Sequence, residues 1–207
     1  MLIAMTLPAT SPPVGAQPSS WPDDTQWTYP ADCYCDPSGD KRPANTDLIG
    51  CEALIGPAVY YYFGTNYAYF RERVAANPSG TGGFAQSAWV VLFDLPAPGN
   101  YEYLLSINGK NPDKVQLWEN IEKAALIWNP ILRDTAEVLH WEGDISTYAR
   151  IVDDDTGHYF VDWAVPLTVL ATYNITENNK MYFCTSADAN NYNKDYLDCY
   201  GADLVVT

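Results

Sequence analysis

The amino-acid sequence predicts an all-β domain, an antiparallel β-sandwich of about eight to ten strands with one or two short helical insertions. Short runs rich in Tyr, Val, Phe and Trp recur along the chain, and turn-forming residues separate them. Apolar residues make up 47% of the 207 residues, which is enough for one sizeable core. The 16 tyrosines suit strands, because their broad amphipathic rings cover a half-buried face.

The first strands are predicted where turns interrupt apolar runs. Residues 58–74, AVYYYFGTNYAYFRERV, predict two strands around a turn at 64–66. Residues 87–95, SAWVVLFDL, are too apolar for a strand with one solvent-exposed face, so they predict a central strand that is buried on both faces. YEYLLSING at 101–109 and DKVQLWEN at 113–120 then predict a hairpin.

The second half of the chain continues this pattern. Residues 119–128, ENIEKAALIW, have helix-like spacing of apolar side chains, and Pro130 ends that predicted helix. Pro166 begins a second predicted helical turn. Further strands are predicted at 136–143, 147–154, 158–166, 180–186 and 202–206, the last as an edge strand.

Residues 1–31 differ in composition from the rest, which is predicted to be a single β-sandwich domain over 32–207. This leader holds six prolines and has little periodicity. Residues 1–16 are either the remnant of a signal peptide or a disordered leader, since a basic start is missing. If the leader packs on the domain, Trp21 and Trp27 are the side chains expected to do so.

Five cysteines lie near the two ends of the chain, which predicts at least one disulfide and an oxidising, extracellular setting. None forms a C-x-x-C pair, so structural zinc is disfavoured. Cys184 with Cys199, and Cys51 with Cys33 or Cys35, are the expected pairings, with one cysteine left over. Asn174 begins an Asn-Ile-Thr triplet that matches the N-glycosylation pattern.

The net charge of −15 narrows the classes of partner. Nucleic acid and anionic membrane surfaces are disfavoured, because both require a basic face. No run reaches the ~18 apolar residues of a membrane span. A neutral, sugar-like partner or a cation suits this charge better.

Tryptophans are the candidate ligand-binding residues, because planar rings beside hydrogen-bonding groups bind sugars. Trp89 and Trp163 lie inside apolar strands and are predicted to be core. Trp118, Trp128 and Trp141 flank the irregular middle segment and are predicted to line a groove. The alternative for each of these three is ordinary packing.

Calcium is the metal that the sequence best supports. Asp36, Asp40 and Asp47 lie in a loop that also contains Gly and Pro, where carboxylate and carbonyl oxygens can converge on a hard cation. The alternative is that these aspartates only shape turns by accepting bonds from backbone N–H groups.

Catalytic patterns are weak. No G-x-S-x-G motif accompanies the two histidines, His140 and His158. A glycoside hydrolase would need two paired carboxylates, and the strand-associated candidates are Glu137, Glu142, Asp144 and Asp162. With 26 acidic residues in the chain, chance pairs are expected, so the protein is predicted not to be an enzyme.

The order of several motifs resembles the DOMON-like superfamily, and within it modules similar to family-nine carbohydrate-binding modules of secreted microbial proteins. These motifs are TNYAYFRERV, AWVVLFDL, GNYEYLLSINGK, VQLWEN, GHYFVDWAVPLTVL and FCTSADANNYNKD, with the acidic opening DPSGD and TDL. The segment Asp162-Trp163-Ala164-Val165-Pro166-Leu167 is the most characteristic. The resemblance implies a non-catalytic β-sandwich that binds sugars, haem or other small ligands, or acts as a surface module, in some cases with structural calcium. Haem in such relatives uses Met and His ligands, for which this chain offers Met181 with His140 or His158.

These observations predict a secreted, non-catalytic module that binds carbohydrate or a cell-envelope polymer. The alternative is a structural subunit of an extracellular fibre, surface layer or adhesive assembly that associates through its N-terminal arm. A glycoside hydrolase-type enzyme is the third hypothesis.

Overall fold

The structure is a computed structural model of the chain. It describes residue 18, the ranges 20–29, 36–50, 56–95, 101–110, 112–121 and 138–187, and the backbone of 197–200. The predicted helix at 119–128 and the predicted edge strand at 202–206 lie largely or wholly outside these residues. Trp128, Cys33, Cys35 and Cys51 also lie outside them.

Most regular elements of the described residues are strands. In chain order the strands are β1 (Val59–Phe63), β2 (Tyr67–Val74), β3 (Ser79–Gly80), β4 (Gly83–Phe84), β5 (Ala88–Asp94), β6 (Tyr103–Asn108), β7 (Lys114–Glu119), β8 (Val138–Asp144), β9 (Ala149–Asp153), β10 (Tyr159–Pro166), β11 (Lys180–Ser186) and β12 (Leu197–Tyr200). The helices are a 3₁₀ turn at Ala44–Thr46, α1 (Ile145–Tyr148) and α2 (Leu167–Thr172). Within the described part of the chain, no helix is long and apolar enough to cross a membrane.

The strands form two main antiparallel sheets. One has four strands in the order β1-β2-β10-β9, and the other has six in the order β12-β11-β5-β6-β7-β8. Strands β3 and β4 form a small separate hairpin. The predicted all-β, sandwich-like class is confirmed, and so are the helical turn that follows Pro166 and the interior position of β5.

The core lies between the two main sheets and is rich in aromatic rings. Phe70 of β2 is at its centre, with ring centroids 5.7 Å from Phe93, 5.9 Å from Trp163 and 6.4 Å from Phe183. All four side chains are fully buried and come from both sheets. Trp89 is also fully buried, and its indole N–H donates to the carbonyl oxygen of Asn45. Trp89 and Trp163 are therefore core residues, as the sequence predicts.

Strand β2 is buried on both faces, although its sequence alternates. All eight of its residues are buried. Ala68 and Phe70 belong to the core, whereas Tyr69, Arg71 and Arg73 alternate with them and point to the other face. Two arginines on a buried strand face require a cover and partners. Those partners define the candidate site below.

Cys184 lies at the outer side of the six-stranded sheet. It is directly opposite Cys199 in the antiparallel register of β11 and β12. Cys184 is fully buried and disulfide-bonded. The backbone register agrees with the predicted pairing of Cys184 with Cys199, which stays a prediction.

A tight turn at 154–157 joins β9 to β10. One carboxylate oxygen of Asp154 accepts bonds from the backbone N–H of Thr156 at 2.9 Å and of His158 at 3.1 Å. The other oxygen lies 3.2 Å from Nε of Arg73 on β2. Burial raises the pKa of Asp154, but the hydrogen bonds and the Arg73 charge outweigh burial and bring the pKa below its ordinary value.

We expect Asp154→Asn to lower the free energy of unfolding by about 1–2 kcal/mol at neutral pH, because a charge-assisted contact is lost. A carboxyl with a depressed pKa stabilises the fold above its unfolded-state pKa of about 3.9, and this contribution disappears as the pH falls through the folded-state pKa. The difference between wild type and variant should therefore shrink in acid. Urea unfolding at steps from pH 7 to pH 2 measures it.

Asp155→Asn is the matched control, since Asp155 is an exposed neighbour in the same turn and Asn tolerates its φ of 61°. It removes the same charge and should change stability little. A difference for Asp154→Asn that stays constant across the pH range would contradict the argument.

We expect non-reducing peptide mapping to recover Cys184 and Cys199 in one linked peptide, because the two face each other in register. A bridge across this loop is worth about 3 kcal/mol, so reduction should lower the denaturation midpoint. Recovery of Cys184 linked to Cys33, Cys35 or Cys51 instead would refute the assignment.

Candidate functional site

Residues 20–29, here called the arm, lie across the outer face of the four-stranded sheet. Thr28 pairs with Tyr61 of β1 through two backbone hydrogen bonds of 2.9 and 2.8 Å. At the other end of the arm, the Tyr69 hydroxyl donates to the carbonyl oxygen of Ser20 at 3.1 Å. The described part of the N-terminal leader is thus packed on the domain, through the two tryptophans that the sequence singled out.

A buried carboxylate shared by two arginines lies beneath the arm. Asp162 of β10 is fully buried, and its oxygens accept bonds from Arg71 Nε at 2.6 Å and from a terminal Arg71 nitrogen at 2.9 Å. Arg150 Nε of β9 donates to the same carboxylate at 2.8 Å. The strand register sets this geometry, because Arg71 and Arg150 are both direct cross-strand neighbours of Asp162.

The two arm tryptophans each cover one of these arginines. The guanidinium carbon of Arg71 lies 4.3 Å from the centre of the Trp27 ring, and that of Arg150 lies 4.6 Å from the Trp21 ring. Both distances fall within the range of cation–π attraction. We call Arg71, Arg150, Asp162, Trp21 and Trp27 the arm clamp.

A cleft of about 230 Å³ opens where the arm meets the β1–β2 turn, and we call it the arm cleft. Trp21 contacts Tyr69 edge-on at 5.7 Å between ring centroids, and Tyr62 stacks on Tyr69 at 6.0 Å. Gln26 Nε2 donates to the Tyr62 hydroxyl at 3.1 Å and so ties the arm to the sheet. The residues that line the cleft are Ser20, Trp21, Pro22, Gln26, Tyr62, Gly64, Thr65, Asn66, Tyr67 and Tyr69.

The arm cleft is uncharged, although the chain carries a net charge of −15. Among the residues that the structure describes, none that lines the cleft is Asp, Glu, Lys, Arg or His. Burial, reinforced by neighbouring Tyr67 and Tyr62, raises the pKa of Tyr69 to about 12, so its hydroxyl stays protonated at neutral pH. Thr65 and Asn66 present exposed polar side chains at the rim. The accessible surface of the cleft is therefore mainly polar and neutral, and aromatic rings form part of its wall.

The tryptophans predicted to bind ligand do not form one platform. In the register of β7 and β8, Trp141 lies opposite Leu117 of the core, whereas Trp118 packs against a separate cluster on the outer face of the sheet. Trp118 and Trp141 are therefore on opposite faces, and Trp128 lies outside the described residues. A shared stacking surface for Trp118 and Trp141 is not formed.

Trp141 lines a second cleft of about 220 Å³. Its ring contacts Tyr148 edge-on at 5.2 Å between centroids. Glu142 and the ion pair of Lys114 with Asp144 also line this cleft. It is more highly charged than the arm cleft and fits a neutral ligand less well.

The three aspartates predicted to bind calcium have different environments. Asp47 is 1% exposed, and its carboxylate accepts bonds from the backbone N–H groups of Gly39 at 2.7 Å and Lys41 at 3.1 Å. Burial raises the pKa of Asp47 despite these bonds, and the Asp40 carboxyl raises it further. Asp36 pairs with Gly50 through its backbone. Asp47 thus has the turn-shaping role that was the alternative to calcium binding.

Within the ranges that the structure describes, no group of three or more His, Cys, Asp or Glu side chains is arranged to hold a metal ion. Calcium binding by Asp36, Asp40 and Asp47 stays a prediction.

The candidate catalytic residues take part in local contacts. Asp162 belongs to the arm clamp, and Glu142 lies at the second cleft. His140 Nε2 is 2.6 Å from a Glu119 carboxylate oxygen, and its ring stacks on Tyr173 at 4.4 Å. His158 Nδ1 is 2.9 Å from the Thr156 hydroxyl in the 154–157 turn. The candidate acid Glu137 lies outside the described residues.

The predicted glycosylation site is on the surface. Asn174 is exposed in the turn that follows α2, with a φ of 58°. Ile175 beside it is 3% exposed and holds the turn against the core. Glycosylation of Asn174 stays a prediction, and the exposed position of the side chain is sterically compatible with it.

Sequence reasoning missed the arm cleft because it treated the leader as peripheral. A signal was present in β2, where Tyr67, Tyr69, Arg71 and Arg73 share one face. A strand face that carries two arginines between aromatic rings needs carboxylates and a cover to be buried. Trp21 and Trp27 are the cover, and both lie shortly before residue 32, where the predicted domain begins.

We expect Asp162→Asn to lower the free energy of unfolding by about 3–5 kcal/mol, because it leaves the buried guanidinium of Arg71 and the partly exposed one of Arg150 without their shared carboxylate. Asp144→Asn is the control, since Asp144 pairs with Lys114 on the surface, where its side chain is 68% exposed. Chemical denaturation of both variants at pH 7 measures the contrast. Equal small losses for the two would contradict the role of the arm clamp.

We compared the chain with protein-family models, with curated proteins and with solved structures, and found no match in any of the three comparisons. The resemblance to DOMON-like modules therefore stays a prediction from the sequence. What the arm cleft can bind follows from its own geometry and chemistry.

Proposed function

We propose that the protein is a secreted, non-catalytic module that binds a neutral saccharide in the arm cleft. The observation that supports this most directly is the lining of the cleft, which combines Trp21, Tyr62 and Tyr69 with the polar side chains of Thr65 and Asn66 and has no ionisable acid or base of the Asp, Glu, Lys, Arg or His type. A sugar ring has an apolar face that matches an aromatic ring and hydroxyl groups that match amides and hydroxyls.

Charge favours a neutral sugar over an acidic one. Uronic acids or phosphorylated sugars would enter a cleft with no cationic side chain among its lining residues, on a chain of net charge −15. Long-range repulsion lowers their encounter rate, and the cleft offers no cation to compensate. We therefore propose an uncharged glycan, such as a neutral stretch of an envelope polymer, as the ligand.

The size of the cleft suits weak binding of a short glycan segment. Its volume of about 230 Å³ is below the ~300–1,000 Å³ of typical small-molecule pockets. A shallow site of this kind holds one or two sugar units and leaves the rest of a polymer in solvent. Modules of modest affinity gain strength when several sites engage one polymer.

A structural subunit of an extracellular assembly is the second candidate function, and one observation favours it. The arm pairs with the edge of β1 through Thr28 and Tyr61, which is the geometry of an added strand. The arm of a second copy would fit the same edge. The mass of the protein in dilute solution, as monomer or ordered multimer, separates this role from saccharide binding by a single chain.

We expect Asn66→Ala to weaken binding of a neutral oligosaccharide about 5- to 30-fold, because the side-chain amide loses its hydrogen bonds to the sugar. Asn178→Ala is the matched control, since Asn178 is exposed in a different turn, before β11. Isothermal titration calorimetry against a panel of neutral oligosaccharides, with uronic-acid oligomers of the same length beside them, measures the affinities.

The panel also tests the charge argument. Neutral oligomers should bind more tightly than acidic ones, and the difference in affinity between them should decrease at high salt, which screens the repulsion. Absence of binding by every neutral oligomer at millimolar concentration, or equal loss in both asparagine variants, would refute the proposed site.

A further inference from the structure

We infer that saccharide binding is linked to docking of the arm, so that Trp27 and the ion pairs of Asp162 with its two arginines regulate the arm cleft from outside it. This inference rests on the proposed function. The arm supplies four of the lining residues, which are Ser20, Trp21, Pro22 and Gln26. The sheet and the β1–β2 turn supply the others, so the cleft has both walls only while the arm is docked.

The attachments of the arm lie on both sides of the cleft. Ser20 and Gln26 bond to Tyr69 and Tyr62 at its wall. Trp27 lies outside the set of lining residues, where it stacks on Arg71. Farther along, Thr28 pairs with Tyr61. A change at Trp27 can therefore alter docking without removing any group that lines the cleft.

Docking of the arm is opposed by an incomplete contact. The indole N–H of Trp27 is buried and has no hydrogen-bond partner among the described residues. A buried donor without a partner destabilises the docked state. The segment from Asp23 to Gln26 is exposed and adds little apolar burial. The arm is held by two cation–π contacts, by edge-on ring contacts of Trp21 with Tyr69 and of Trp27 with Tyr60, and by a few hydrogen bonds. A short segment with this few attachments belongs to the part of a folded structure that opens most readily.

Linkage then follows from mass action. A ligand that binds only when both walls are present stabilises the docked arm. The apparent affinity is proportional to the fraction of molecules whose arm is docked, so any change that undocks the arm weakens binding. The effect is reciprocal, because docking of the arm changes the affinity for the ligand by the same factor by which the ligand changes the docking equilibrium. Asp162 and Arg71 act here as positioning residues that reach the ligand only through the arm.

The test uses the full chain with Trp27→Ala and its conservative partner Trp27→Phe. Without ligand, hydrogen exchange at the Thr28 and Tyr61 amides should accelerate on the order of tenfold in Trp27→Ala, since the cation–π contact is lost, and Trp27→Phe should restore much of the protection. Tyr29→Ala is the control, because Tyr29 is a 50% exposed aromatic residue of the same arm that contacts Tyr60. Its effect on exchange should be smaller.

The same variants are then titrated with the neutral oligosaccharide that wild type binds. The affinity of Trp27→Ala should fall several-fold and that of Trp27→Phe should largely recover, while saturating sugar should slow exchange at both amides in wild type. The linkage is overturned if amide exchange in Trp27→Ala is unchanged, or if exchange accelerates while the affinity for the oligosaccharide stays the same. Either result leaves the proposed saccharide site standing. If no neutral oligosaccharide binds wild type, the proposed function and the linkage fall together, and the exchange rates alone describe how the arm is held.

Discussion

The Asp162 carboxylate is the constraint on which the organisation of this protein depends. It holds Arg71 and Arg150 on the outer face of the four-stranded sheet, where the Arg71 side chain is buried and the Arg150 side chain is about one-third exposed. A buried charge is tolerated only when it is paired and hydrogen-bonded, and one carboxylate does this for both arginines. The paired arginines in turn present flat cationic surfaces that only aromatic rings can cover without new charge. The N-terminal tryptophans provide those rings.

This arrangement explains how a neutral cleft arises on a strongly acidic chain. On the outer face of this sheet, Arg71 and Arg150 are paired with Asp162 in the arm clamp. Arg73 is paired with Asp154 of the 154–157 turn. Further along the same face, β1 and β2 present Tyr62, Tyr67 and Tyr69 instead of charged side chains. The boundary between the charged and the aromatic parts of this face is where the arm cleft opens. The charged side chains and the neutral aromatic side chains of this face are therefore separated along one pair of strands.

The fold could be predicted largely from local pattern. The alternation in 58–74, the apolar run at 87–95 and the Pro166 helical turn all lie where the pattern placed them, because each depends on short-range periodicity and turn chemistry. The site could not be predicted in the same way. Trp118 and Trp141 were grouped because both flank the irregular middle segment, yet a register shift between Leu117 and Trp118 and the period of two place them on opposite faces. Asp47 was a candidate calcium ligand with turn shaping as the alternative, and its carboxylate accepts backbone N–H groups of its own loop.

The sequence by itself determined the all-β class of the protein, because aromatic and β-branched runs of strand length, separated by turns, favour antiparallel sheets that bury one face. It also determined the charge balance and hence the kinds of partner that are disfavoured. Only the tertiary structure decided where the leader goes and which side chains form a cleft. Those outcomes depend on contacts such as Arg71 with Asp162, 91 positions apart, and Ser20 with Tyr69, 49 positions apart. Local periodicity carries no information about such pairs, because the strand register and the sheet order bring them together only when the whole domain closes.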